Sequence, residues 1–380
     1  MQNRIRVVHI AQAAGGVDQY IRMLLKYMDS TRFENILIAS KDYHAENYAE
    51  LTDAFERVDM SRAIGMNDLK AARKVRTLIK QYKPDIIYAH SSKAGAIARI
   101  ADLGLKNHLL YNPHGWAFNM KCSARKQKLY TAIERVAAPF CDRIICISEA
   151  ERKSALDKKI CEDSKLHVIF NGVDIEAYEK KEHGNVHKTD LKIPADAFVV
   201  GMVGRISPQK APDVFIKAAK LIKQEIPGAH FVIVGGGEME SEIKEYANEN
   251  GLKDCLHITG WVDNPLNYVE LFDVACLLSR WEGFGLVLPE FMMVGKPIVA
   301  TQVDAIPNII SDHQNGLLVE ADDEVAVSRA VLEIQKNPTL KNKLVQQGQK
   351  DVRRKFDAKR VSYEHELLFR KLVEQEKSGE

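Results

Sequence analysis

Short β-branched runs alternate with amphipathic helical stretches along the whole chain, and that alternation limits the fold more than any other feature. Apolar runs of strand length, each followed by a 3.6-residue pattern, specify β-α-β units and parallel sheets. In the first half the predicted strands are Arg6–Ile10, Asn35–Ala39, Asp85–Ala89, Leu109–Asn112 and Arg143–Ile147, with Lys165–Phe170 leading across the junction. In the second half they are Phe198–Val203, Phe231–Val234, Leu256–Thr259, Val274–Leu278, Ile298–Ala300 and Leu317–Val319. The first helix begins near Val17 and turns Ile21, Leu24, Leu25 and Met28 to one side. A chain of 380 residues exceeds one ordinary core and should form about two domains. The polar run Lys180–Asp190 reads as a connecting loop, and the domains are expected at residues 1–170 and 171–355, with a helical segment after Pro338 ending the chain. The expected fold class is α/β: two doubly wound domains facing each other. Such sheets bind ligands outside the carboxyl ends of their strands.

The polar motifs fall at those ends. The run Ser279-Arg-Trp-Glu282-Gly-Phe-Gly-Leu-Val-Leu-Pro-Glu290 follows the strand Val274–Leu278. Gly283 and Gly285 permit close backbone approach, and Pro289 suits the first turn of a helix. The result would be a positive helix end beside a bound anion, flanked by two carboxylates able to accept from sugar or ribose hydroxyls. A solvated turn with a helix-capping glutamate is the plainer alternative. Gly204-Arg205 and Lys210 follow Phe198–Val203, and their cations could neutralise a diphosphate. Ala14-Gly15-Gly16 follows the first strand without forming a dinucleotide fingerprint, and its backbone could approach a phosphate. His114, between Pro113 and Gly115, and His90, ahead of Ser91-Ser92-Lys93, also follow strands, although a lone histidine is more often structural.

Charge and cysteine usage narrow the class. Residues 1–170 hold 28 Lys and Arg against 19 Asp and Glu, whereas residues 171–380 hold 26 against 33. The basic half suits an anionic partner, and no nucleic-acid motif accompanies it. The six cysteines show no zinc spacing and read as reduced, cytosolic side chains; the N-terminus enters a strand directly, and no run is long enough to span a membrane. Two basic clusters, the amphipathic stretch Leu69–Lys83 and Lys121, Arg125, Lys126 and Lys128, predict a salt-reversible contact of the first domain with an anionic membrane face.

Taken together, these residues resemble the retaining glycosyltransferases of family 4, which have the GT-B fold. The resemblance rests on Glu282 to Glu290, on Gly204-Arg205 with Lys210, on Asn171-Gly-Val-Asp174, on Gly295-Lys-Pro-Ile-Val-Ala-Thr301, and on Gly15-Gly16. The first half, with Lys93-Ala-Gly and His114-Gly-Trp-Ala-Phe, is similar to enzymes of bacterial capsule and exopolysaccharide assembly. The resemblance implies an N-terminal acceptor domain, a C-terminal nucleotide-sugar domain, and a last helix of about residues 356–380 packing back on the first domain. It implies that Arg205 and Lys210 bind the donor diphosphate, Glu290 the ribose, and Glu282 the donor sugar. Phe284, Gly285 and Leu286 would offer backbone N–H groups, Gly16 would approach the diphosphate, and His114 would lie beside the sugar. Glu282, His114, Arg205 and Lys210 are thus the catalytic candidates, and His90 and Lys93 the acceptor candidates. The donor would be a nucleotide sugar such as a UDP-sugar, the acceptor lipid-diphosphate-linked or a glycan, with no cofactor and no metal. A sugar-nucleotide epimerase and a non-catalytic binding scaffold are the alternatives. One segment departs from the family: where a Gly-Gly-x-Pro-Glu run is usual after Ala300-Thr301, this chain reads Val303-Asp304-Ala305-Ile306-Pro307-Asn308.

Overall fold

A computed structural model describes residues 4–60, 67–120, 122–181 and 183–378, so Lys121 of the second basic cluster lies outside the described residues. The chain forms two compact units, Met1–Asp174 with Ala358–Glu380, and Ile175–Asp357. Two parallel sheets of the doubly wound kind carry them, as the alternation of strand and helix patterns requires.

Unit 1 holds β1 (Ile5–Ala11), β2 (Phe33–Ala39), β3 (Ala54–Arg57), β4 (Ile86–His90), β5 (His108–Asn112), β6 (Arg143–Cys146) and β7 (Leu166–Val168), in the order β3-β2-β1-β4-β5-β6-β7. Val7, Val8 and Ile10 are all fully buried, since helices cover both faces of a parallel sheet. Among the described residues β3 is the one strand that the sequence pattern does not reveal. It is a charged edge strand, Ala-Phe-Glu-Arg, half-buried throughout its first three residues. The helix Gly16–Tyr27 buries Tyr20, Ile21, Leu24 and Leu25. Against it packs the last helix, Ala358–Ser378, through Val361, Leu368, Phe369, Leu372 and Val373. Polar contacts fix its register: Ser362 Oγ donates to the Leu24 carbonyl at 3.0 Å, and Glu366 Oε1 accepts from the Asp29 N–H at 2.7 Å. Leu367 lies on the outer side and is exposed.

Unit 2 holds β8 (Val199–Val203), β9 (His230–Val234), β10 (Leu256–Ile258), β11 (Val274–Leu277), β12 (Ile298–Thr301) and β13 (Leu317–Val319), in the order β10-β9-β8-β11-β12-β13. In each unit the strand order reverses beside the first strand, between β1 and β4 and between β8 and β11. These are the positions where such sheets open a crevice.

Candidate functional site

In unit 2 the loops after β8, β9, β11 and β13 are locked together by glycines and one arginine. Gly204 and Gly235 have φ +148° and +140°. A Cβ on Gly235 would stand 2.1 Å from the Gly204 carbonyl oxygen, and one on Gly237 2.3 Å from that of Ile206, so only glycine lets the loops lie together. Arg280 ties the β11 loop to the β8 loop. Its Nη1 donates to the Pro208 carbonyl at 2.7 Å, its Nη2 to Asp213 and its Nε to Asp322, both at 2.6 Å.

This frame presents Lys210 to Glu282. Lys210 Nζ donates to Glu282 Oε2 at 2.5 Å, and Ser279 Oγ donates to the same oxygen at 3.0 Å. The two charged side chains are only 17% and 11% exposed. Glu282 Oε1 has no donor among the described residues. Asp304 holds the loop from the other side, its Oδ2 accepting from the Glu282 N–H at 2.8 Å. It adopts φ +44°, a left-handed conformation that aspartate tolerates, so it occupies a glycine-like backbone position and adds a carboxylate there.

Gly285 (φ +83°) turns the chain into the helix Val287–Val294, which Leu286 precedes as N-cap. The first N–H groups of such a helix have no intrahelical acceptor. The Phe284 ring is buried edge-on against Phe356, with centroids 5.9 Å apart, so its side chain anchors the loop. The Glu290 side chain, in the first turn, has no hydrogen-bond or ion-pair partner among the described residues, and burial pushes its carboxyl up to about 7. Arg205 is 65% exposed and pairs with Glu238 at 3.1 Å.

Unit 1 assembles a chain of histidines. Asn35 Oδ1 accepts from His9 Nε2–H at 3.3 Å, His9 Nδ1 accepts from His90 Nε2–H at 3.2 Å, and His90 Nδ1 accepts from His114 Nε2–H at 3.1 Å. That sequence of tautomers leaves His114 Nδ1 with a lone pair. His114 sits at φ +50°, its own N–H bonded to Asn112 Oδ1 at 2.8 Å. Burial depresses all three imidazoles: His9 to about 4, His114 to about 3, and His90 well below its usual value. His365 from the last helix is likewise lowered to about 4, and its Nε2 faces the Tyr20 and Tyr88 hydroxyls at 2.8 and 3.1 Å. The network is neutral near pH 7 and sets directions rather than supplying charge.

Two family models cover the chain in tandem. Residues 14–177 match "Glycosyltransferase Family 4" and residues 185–351 match "Glycosyl transferases group 1". A Klebsiella pneumoniae protein, an uncharacterized 41.2 kDa protein in the cps region, is 30% identical over 88% of this chain and 90% of its own length. The chain belongs to glycosyltransferase family 4. This glycosyltransferase is also 29% identical, over 84% of its length and 85% of the relative's, to the Escherichia coli UDP-Gal:alpha-D-GlcNAc-diphosphoundecaprenol alpha-1,3-galactosyltransferase. Its fold matches that of Anabaena HepE in complex with UDP, with a TM-score of 0.82 at 19% identity over 97% of this chain and 100% of that one. Sucrose-phosphate synthase from Thermosynechococcus elongatus matches with a TM-score of 0.81 at 19% identity, over 97% and 99% of the two chains.

In this glycosyltransferase Lys210, Glu282, Phe284, Gly285, Leu286 and Glu290 belong to one frame around the β8–β11 switch, with Arg205 on its exposed margin. Gly16 opens the helix after β1, beside Gly15 at φ +103°, and a Cβ on Gly16 would meet no described atom within 4 Å. Local packing therefore does not require that glycine. His90, expected at the acceptor, is fully buried with both ring nitrogens engaged by His9 and His114. It can reach a ligand only through His114. Lys93, also an acceptor candidate, is largely buried and pairs with Asp68 at 2.6 Å. His9, His365, Arg280 and Asp304 are structural partners of the site that the motifs do not announce.

Proposed function

We propose that this glycosyltransferase moves a hexose from a UDP-sugar to a lipid-diphosphate-linked or glycan acceptor, retaining the anomeric configuration and using no metal. The observation that carries the reading is the Lys210–Glu282–Ser279 cluster, with Glu282 Oε1 and the Glu290 carboxylate left open beside a helix N-terminus. Carboxylate oxygens without donors at a partly buried position suit hydroxyl groups, and helix-start N–H groups with lysine and arginine nearby suit a diphosphate. The UDP bound in the HepE structure and the UDP-galactose donor in the E. coli relative's name support the nucleotide. That relative's diphosphoundecaprenol acceptor supports a lipid-linked one, and a Staphylococcus aureus relative named for capsular polysaccharide biosynthesis supports the setting.

In this reading Lys210 and Arg205 stabilise the charge that develops on the departing diphosphate, a preorganised electrostatic contribution. Glu290 accepts from the ribose hydroxyls, and Glu282 from the donor sugar. Gly285 and Leu286 offer N–H groups to the donor, with Phe284 anchoring that loop, and the Gly16 end of unit 1 offers similar backbone chemistry to a phosphate. His114, neutral and with Nδ1 as acceptor, receives a sugar hydroxyl and is not the proton donor. The leaving diphosphate takes the acceptor's proton on the face it departs from, which gives retention. Lys93 remains the acceptor-side candidate, and His90 positions His114. The enzyme works at a cytoplasmic membrane face, held peripherally.

Mixing the protein with UDP-hexoses in EDTA, with and without a polyprenyl-diphosphate sugar, tests the proposal. Acceptor-dependent UDP release supports it. Isomerised donor without acceptor would indicate an epimerase, and nucleotide binding without any turnover a scaffold.

A further inference from the structure

Helix Ala124–Ala137 presents an apolar stripe to solvent, not to the core. Leu129 is 57% exposed, Ile133 44%, Val136 72% and, in the 3₁₀ turn that follows, Phe140 52%. Their spacing of four, three and four residues puts them on one side of the helical path. The inward side carries Thr131 and the helix's one carboxylate, Glu134, which accepts from the Tyr111 hydroxyl at 2.8 Å. The outer face therefore shows apolar side chains with Arg125, Lys126, Lys128 and Arg135, and no acid. Arg135 donates to the Lys158 carbonyl at 2.6 and 2.8 Å, which brings the exposed turn of Lys158 and Lys159 alongside. Single exposed leucines are ordinary, whereas a contiguous apolar stripe on a helix whose exposed charges are all cations is not.

Helix Asn67–Tyr82, the other basic amphipathic segment, is built the opposite way. Its Val75, Leu78 and Ile79 are buried in the core of unit 1, which leaves cations, Asn67, Thr77 and Gln81 outside, with Leu69 the one exposed apolar side chain of the helix. It can attract an anionic surface but has little to insert. Among the described residues no helix is long and apolar enough to cross a membrane.

We propose that the outer face of Ala124–Phe140 is a shallow insertion surface for an anionic lipid bilayer. Leu129, Ile133, Val136 and Phe140 enter the boundary between headgroups and acyl chains, and the surrounding lysines and arginines meet lipid phosphates. The assignment deepens the peripheral-membrane part of the proposed function, because a lipid-linked acceptor is presented at such a surface. Its physical basis is independent of the donor.

The test uses the full chain and vesicles of phosphatidylcholine alone or mixed equally with phosphatidylglycerol. The wild type should co-sediment with the mixed vesicles and resist release by salt more than a purely electrostatic contact does. The triple variant Leu129→Ser, Ile133→Ser, Val136→Ser should bind more than about tenfold more weakly, because the apolar contribution is gone while every cation remains. Val136→Trp should shift its emission to the blue on binding and be quenched by brominated lipid. UDP affinity, measured on the same triple variant, should equal that of the wild type and shows that the fold is intact. Undiminished vesicle binding by the triple variant would overturn the proposal, as would Val136→Trp emission unchanged by vesicles. So would loss of self-association in the triple variant with vesicle binding retained, since the stripe would then be a protein interface. Vesicle binding that behaves as expected without any UDP binding would leave this surface standing and defeat the transferase reading instead.

Discussion

Replacing Glu290 by glutamine should stabilise the protein at alkaline pH and weaken its hold on UDP, and the two effects have one cause. Burial raises this carboxyl to about 7, and no described residue donates to it. The unfolded chain titrates an ordinary glutamate near 4.3, so between roughly pH 4 and 7 the folded state binds the extra proton. Stability must then fall as pH rises through that window and stay reduced above it. A rise from about 4.3 to about 7 corresponds to about 4 kcal/mol, and residual solvent at this partly buried position reduces that to about 1–2 kcal/mol. For a unit of this size the gain in Glu290→Gln is a few degrees in Tm near pH 8, vanishing near pH 4 where both side chains are neutral. Ribose hydroxyls donating to the carboxylate favour its charged form, so wild-type affinity should rise with pH up to about 7. Hydrogen bonds to a charged group are worth about 1.5–3 kcal/mol, hence UDP should bind the variant about 10- to 100-fold more weakly above pH 7. Calorimetric titration and thermal melts of both proteins from pH 5.5 to 8.5 measure this. The nucleotide's own phosphate titrates near 6, so the difference between the two proteins is the diagnostic quantity. A variant less stable at pH 8, with wild-type UDP affinity at every pH, would refute the reasoning.

The two cations should separate in the same assays. Lys210→Ala and Arg205→Ala should each lose about 10²–10³ in turnover. Only Lys210→Ala should also melt several degrees lower, because it strands Glu282, whereas exposed Arg205 contributes within about 0.5 kcal/mol. Asp304→Ala should destabilise more than Asp304→Gly in thermal melts, because glycine relieves the left-handed backbone that both variants must keep after losing the bond to Glu282. The histidine network predicts acid lability: imidazoles lowered to about 3–4 when folded bind protons more readily once unfolded, so stability should fall as pH drops below about 6.5. Hydrogen exchange in β1, β4 and β5 should rise first, and uniform protection down to pH 4 would contradict the assignment.

Much of this was readable from the chain because parallel strands buried on both faces are continuous apolar runs. Val7-Val8-His9-Ile10 and Val199-Val200 mark themselves. β3 does not, since an edge strand needs no second apolar face and Glu56-Arg57 hide it. The loops after the strands were also legible, through Gly204, Gly285 and the glutamates eight residues apart. Their pairing was not: Lys210 and Glu282 are 72 positions apart, and a charge pattern does not say which cation meets which acid. His9 looked like a polar interruption in β1 and His365 like one residue of a charged helix, because a buried histidine is recognised only by the distant partners that satisfy it. Arg280 was hidden for the same reason. The basic helix Asn67–Tyr82 misleads in the opposite direction, since amphipathic spacing identifies a buried face without saying whether protein or lipid buries it.

The most direct test of the central claim is transfer from a UDP-hexose labelled with ¹³C at C1 to a polyprenyl-diphosphate sugar in EDTA, with the product followed by NMR. The account predicts that label appears in the product only when acceptor is present, in the anomeric configuration it had in the donor, and that the chelator leaves the rate unchanged. Label with inverted configuration, label confined to the nucleotide sugar or free hexose, or transfer restored only by added divalent metal would contradict it.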